Sequence, residues 1–254
     1  MHLALKESHF AVFDDFLPLE HMRLLWKFAQ IATYTKVHAE QWLPVWRMGD
    51  GEPFRGPMLE WEKDVGLRTP SDDDTSEQKE HPEASKNLQT FFENIMELAT
   101  QECSALFTQA HPIREKMNGR FYLYPAHTGL SWHDDSNKYH GAYAYYPHPQ
   151  WNSQWGGELC ILDESPETKE INYEHVMLYN AGEKNLDSLE KKKLGPHLEN
   201  RMQDEAISSV GTGHFLAPKP NRLIILKRGV LHKINHISPR AGDVARCSLS
   251  GFFI

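Results

Sequence analysis

Ser131-Trp132-His133-Asp134-Asp135-Ser136 and, much later in the chain, Arg228-Gly229-Val230-Leu231-His232-Lys233-Ile234 are the stretches on which the reading of this protein turns. On an extended chain residues i and i+2 project to the same side, so His133 and Asp135 face one way while Trp132 and Asp134 face the other. His232 follows the apolar run Leu223-Ile224-Ile225-Leu226 after a Lys227-Arg228-Gly229 break. Taken alone, His133-x-Asp135 is also what a surface turn with an ion-paired aspartate would show. A single His232 is also what a core histidine bonded to a backbone carbonyl would show. Together, on a β core that brings them face to face, they offer two neutral nitrogens and one anionic oxygen, a donor set suited to Fe(II). His236 lies beyond the Val230–Asn235 run and is placed outside this set.

Around these stretches the pattern is that of short strands. Arg120–Tyr124, Gly129–His133, Ala142–Tyr146, Gly157–Leu162, Arg222–Lys227, Val230–Asn235 and Val244–Phe253 show period-two alternation or short apolar runs. Upstream, residues 9–15 read as a strand, and Pro18 opens a helix carrying Leu19, Met22, Leu25 and Phe28 at helical spacing. Residues 39–60 read as an ordered loop rich in Trp, Gly and Pro, and 68–86 as an acidic exposed link. From Ser85 to Gln109 the stripe Leu88, Phe91, Phe92, Ile95, Leu98, Leu106, Phe107 predicts a long helix bracing a sheet. The expected organisation is α+β: residues 1–118 as helical support and loops, and 119–254 as an antiparallel double-sheet roll. The roll is interrupted at about 163–212 by a charged insertion, helical in places (Leu186–Leu194).

Composition narrows the function classes. Over 254 residues the formal net charge is -8, which disfavours nucleic acid as a partner because phosphate neutralisation needs a basic face. The three cysteines, Cys103, Cys160 and Cys247, form neither a disulfide framework nor a zinc pattern and are expected to be reduced packing residues. No apolar run approaches the roughly 20 residues of a membrane span, and no leader pattern opens the chain. The expected location is the cytoplasm, with no membrane partner; the oligomeric state is not readable.

Arg246, in Val244-Ala245-Arg246-Cys247-Ser248-Leu249-Ser250, is a charge inside a strand of the expected core. Such a charge needs a partner, and a guanidinium matches a carboxylate in bidentate fashion. That carboxylate could belong to a neighbouring acidic residue or to a dicarboxylic ligand. Ser248, two residues on, points the same way.

The order of these elements resembles the Fe(II)/2-oxoglutarate-dependent oxygenases, in their prolyl-4-hydroxylase-like branch. The matching elements are Tyr124 before His133-x-Asp135, the strand Ala144-Tyr145-Tyr146, Trp151, and Trp155-Gly156-Gly157-Glu158-Leu159. They continue with Pro218-Lys219-Pro220-Asn221-Arg222-Leu223, then Leu231-His232-Lys233-Ile234, and close on Arg246. The resemblance spans about residues 119–254. It implies a double-stranded β-helix, or jelly roll, with His133, Asp135 and His232 as iron ligands. It implies Arg246 on the distal carboxylate of 2-oxoglutarate, with Tyr145 as hydrogen-bond helper and Tyr124 as a weaker co-substrate candidate, and O2 as oxidant; Ser248 adds a hydrogen bond by its spacing from Arg246. Arg240, in an apparent insertion between His232 and Arg246, is a rival for the carboxylate. The implied activity is hydroxylation of an unactivated C–H bond of a small molecule or amino-acid-type substrate. Asp135 occupies the position that related halogenases leave open for chloride, so hydroxylation is favoured. A peptidyl hydroxylase of the same family stays open, as do a cupin-like metal enzyme without 2-oxoglutarate and a binding module. Trp42, Trp46, Arg47 and the 163–212 insertion are candidates for substrate contact.

Overall fold

The computed structural model describes residues 1–37, 47–68, 82–135, 139–164 and 201–254. Trp42, Trp46, most of the acidic link and the Leu186–Leu194 stretch lie outside the described residues. The strands run in chain order β1 (His2–Lys6), β2 (Phe10–Asp14), β3 (Thr35–Lys36), β4 (Phe54–Arg55), β5 (Leu59–Glu62), β6 (Gly66–Arg68), β7 (Lys116–Tyr124), β8 (Leu130–His133), β9 (Gly141–Tyr145), β10 (Leu159–Leu162), β11 (Gly213–Leu216), β12 (Leu223–Lys227), β13 (His232–Ile234) and β14 (Arg246–Phe253). Helix α1 (Leu19–Ile31) follows β2, α2 (Pro82–Glu102) precedes β7, and α3 (Arg201–Val210) precedes β11. The described residues are thus mostly β with few helices, and no described helix is long and apolar enough to cross a membrane.

Two antiparallel sheets stack. The larger has ten strands, ordered β1-β2-β12-β9-β14-β7-β4-β3, with β5 also paired to β7 and β6 to β5; the smaller is β11-β10-β13-β8. Side-chain alternation sorts the larger sheet into two buried faces. On β12, Leu223 and Ile225 join the core under the helices, while Ile224 and Leu226 join the core between the sheets. β2 divides the same way: Ala11 and Phe13 face the helices, Phe10 and Val12 the smaller sheet. A strand buried on both faces must read as a continuous apolar run, which is what Leu223–Leu226 is.

Helix α2 packs Leu88, Phe91, Phe92, Ile95, Leu98 and Ala99 onto the outer face, with Phe91 5.1 Å from the ring of Tyr145. It is shorter than its periodicity suggests. It ends at Glu102, and Cys103 leaves helical geometry before a 3-10 turn at Ser104–Leu106. The loop expected over 39–60 holds β4 and the start of β5, strands too short to leave a period in the sequence. β11 begins just past the expected end of the insertion.

The N-terminal segment is stitched in by polar ties. Arg222 grips Asp14 through Nε (2.7 Å) and Nη2 (3.0 Å), and Lys219 adds a third contact at 2.8 Å. Asn221, in left-handed backbone (φ 59°), accepts from Leu17 N–H and from the Tyr145 hydroxyl and donates to the Leu17 carbonyl. All three cysteines are free; burial raises the Cys103 thiol to about 11 and the Cys247 thiol to about 12, as expected of packing residues.

Candidate active site

His133 ends β8 and His232 opens β13, and the two are directly paired in the ladder of the smaller sheet. Their rings come within 4.2 Å, centroid to centroid. Asp135, two residues past His133, places Oδ1 3.8 Å from His133 Nε2 and Oδ2 3.4 Å from His232 Nε2. One donor atom from each of the three lies within 4.8 Å of the others, a set able to hold a metal ion.

The histidines are oriented by their own backbones. His133 Nδ1 bonds the Ser131 carbonyl at 2.7 Å and His232 Nδ1 bonds the Val230 carbonyl at 2.8 Å. A carbonyl only accepts, so Nδ1 donates and each Nε2 faces Asp135, where a metal ion would take its lone pair in place of a proton. Strand β8 is itself held by Asp50, which is buried and accepts from the Ser131 hydroxyl at 2.7 Å and from the Arg47 backbone at 2.7 Å. Burial, with His232 next in effect, pushes His133 down to about 4. His232 moves the other way: burial lowers it, but the hydrogen bond and charge of Asp135 outweigh that and raise it. Burial raises the Asp135 carboxyl, and His232 with His133 more than reverses this, holding it below its usual value.

The same three residues line a cavity of about 110 Å³ between the sheets, which Tyr122, Tyr124, Ser250 and Arg246 also line. Arg246 is 1% exposed and opens β14, opposite Tyr124 of β7 in the ladder. Its guanidinium lies 5.2 Å from the ring centre of Tyr124 and 4.8 Å from that of Tyr146. Nη2 donates to the Tyr146 hydroxyl at 3.0 Å, while Nε and Nη1 have no hydrogen-bond partner among the described residues. A buried charge with donors left open is costly unless something anionic completes it.

One expected residue is displaced. Tyr145 lies on the opposite face of β9: its ring packs on Phe16 and Phe91 and its hydroxyl donates to Asn221. Tyr146, one residue on, points to the cavity side and takes its place beside Arg246. Tyr124 and Ser248 share the face of Arg246, Ser248 accepting from Ser250. Arg240 is exposed on a 3-10 turn and donates to Gln154, away from the cavity. His236 is exposed and donates to the Gly49 carbonyl, outside the cluster. Sequence reasoning passed over Tyr122, Ser250 and Asp50. The i+2 and i+4 spacing of Ser248 and Ser250 from Arg246 was a usable signal for Ser250; Asp50 had none.

No family model matches the chain, and no curated protein matches it. Solved structures do resemble it. The prolyl hydroxylase from Trichoplax adhaerens, solved with a hypoxia inducible factor oxygen degradation domain peptide fragment, aligns over 97% of this chain and 84% of its own, with a TM-score of 0.51 and 12% identity. IDO from Bacillus thuringiensis aligns over 97% and 89%, with a TM-score of 0.50 and 10% identity. The chain shares the fold of these proteins.

Proposed function

We propose that the protein is an Fe(II)- and 2-oxoglutarate-dependent dioxygenase that hydroxylates an unactivated C–H bond of a small molecule or amino-acid-type substrate. In this reading the strands of residues 119–254 form a double-stranded β-helix, and residues 1–118 support it and add β1–β6 to its larger sheet. One observation carries it: the His133–Asp135–His232 set lines the same cavity as Arg246, whose Nε and Nη1 have no hydrogen-bond partner among the described residues. The donor set fits Fe(II), and a guanidinium with donors to spare fits a dicarboxylate.

When bound, Fe(II) with 2-oxoglutarate and O2 supplies the oxidation, in which the co-substrate becomes succinate and CO2 and the second oxygen atom enters the substrate C–H bond. The protein's own groups position and shield. His133, Asp135 and His232 would hold the metal from one side, leaving its other positions toward the cavity. Arg246 would take a carboxylate on Nε or Nη1 together with one N–H of Nη2, whose other N–H donates to the Tyr146 hydroxyl. Tyr122, Tyr124 and Phe252 exclude water from this end.

The test is anaerobic titration of the Fe(II)-loaded protein with 2-oxoglutarate, followed by its visible charge-transfer absorption, with succinate release measured on admitting air. Absorption that fails to develop although iron is bound overturns the co-substrate and returns the reading to a cupin-like metal enzyme. Failure to bind iron returns it to a binding module.

A further inference from the structure

A second cluster of metal-binding side chains lies at the other edge of the smaller sheet. Its ladder places His133, His232, Ile161 and His214 in one row, each the direct partner of the next. His214 is therefore two strands from His232, roughly 10 Å at the usual strand spacing, with the buried Ile161 between them. Next to His214 stand Asp163, at the end of β10, and His9, at the entry to β2 of the larger sheet. One donor atom from each lies within 4.8 Å of the others.

The geometry is that of a ligand set. His214 Nε2 is 3.5 Å from Asp163 Oδ1, close to the edge of a tetrahedron drawn with zinc-type bonds of about 2.0–2.1 Å. His9 is only 5% exposed, and its Nε2 is buried with no hydrogen-bond partner among the described residues. Phe10 packs edge-on against both imidazoles, limiting their rotation. The three residues come from three chain segments and both sheets. No other cluster of three His, Cys, Asp or Glu among the described residues, apart from the one at Asp135, meets the same distance limit.

We propose that His9, Asp163 and His214 form a second divalent-metal site of zinc type, with water completing the shell, that clamps β2 of the larger sheet to the β10–β11 hairpin of the smaller. The buried His9 nitrogen then gains a partner, and the ion crosslinks the two sheets at this edge of the stack.

Metal-free protein is titrated with Co(II) and with Zn(II), and bound metal is counted after gel filtration. The wild type is compared with His214→Ala and with His133→Ala/His232→Ala. His214 is a partly exposed edge residue, so its variant is expected to fold; circular dichroism checks all three. Two equivalents in the wild type and one in His214→Ala support the site, as does one in the triad variant. The thermal midpoint gained on adding Zn(II) should fall in His214→Ala and persist in the triad variant. Equal stoichiometry and equal thermal gain in the wild type and His214→Ala overturn it. One equivalent in the wild type that is lost only in His214→Ala would keep this site and remove the first. If the triad variant does not fold, the wild-type and His214→Ala comparison decides alone.

Discussion

Replacing Arg246 by methionine separates a ligand-binding arginine from a structural one, because the two predict opposite results. A structural arginine is satisfied by a buried carboxylate, and removing one partner of such a pair destabilises by about 3–5 kcal/mol. Arg246 has no such partner among the described residues: Nε and Nη1 are open, and the Tyr146 hydroxyl and two tyrosine rings engage the group. Methionine removes a desolvation penalty of several kcal/mol. It forfeits one hydrogen bond of about 1.5–3 kcal/mol and desolvated cation–π contacts of about 2 kcal/mol each. These terms nearly cancel, so unfolding in urea without metal or co-substrate should place Arg246→Met within about 1 kcal/mol of the wild type. Binding should behave differently. Losing a buried charge partner for a carboxylate costs about 2–5 kcal/mol, which is roughly 30-fold to several-thousand-fold in Kd. The assay is 2-oxoglutarate titration of the Fe(II)-loaded protein without oxygen. A variant destabilised by about 3 kcal/mol or more, with unchanged 2-oxoglutarate affinity, would refute the argument.

Other outcomes follow from single contacts. Gly157 has φ +77°, and a Cβ there would lie 2.6 Å from Ile237 Cδ1 and 2.7 Å from Arg246 Cδ. Gly157→Ala should therefore lose about 2–4 kcal/mol, from left-handed backbone and crowding together, and weaken 2-oxoglutarate while Fe(II) affinity holds; equal loss of both would contradict the placement. Tyr145→Phe should lower stability by about 1 kcal/mol and leave 2-oxoglutarate binding intact, whereas Tyr146→Phe should weaken that binding; titration of both variants decides which tyrosine serves the cavity. Burial raises the Asp14 carboxyl, but Arg222 and Lys219 outweigh it and hold the group at about 2 against a usual 3.8. That difference is worth about 2–3 kcal/mol, present above pH 4 and lost as pH falls toward 2. Asp14→Asn should show this deficit at pH 7 in chemical denaturation, and the gap should close in acid; a pH-independent gap would mean that the ion pair is not its source. Phe91→Ala, beneath the outer face of the larger sheet, should lose about 3–5 kcal/mol by thermal unfolding with 2-oxoglutarate affinity preserved in the folded protein.

The chain by itself determined the β character of its C-terminal half, the helix that braces it, and the shared side of His133 and Asp135, whereas His232 meets them through the pairing of β13 with β8. The first three are written in local periodicity: i, i+2 parity puts His133 and Asp135 on one side, and the apolar run Leu223–Leu226 announces a strand covered on both faces. The same periodicity could not say which face of a doubly buried strand meets the cavity. Tyr143 and Tyr145 share one face and Tyr146 the other, and every one of them is buried. Only the stacking of the larger sheet between the helices and the smaller sheet put Tyr145 under Phe91 and Tyr146 beside Arg246. The His9–Asp163–His214 cluster was likewise invisible in the chain, since its members lie far apart in sequence and none sits in a motif. Strand register decides such meetings: pairing Ile161 with His232 on one side and His214 on the other is a long-range choice of hydrogen-bond partners, and no local pattern encodes it.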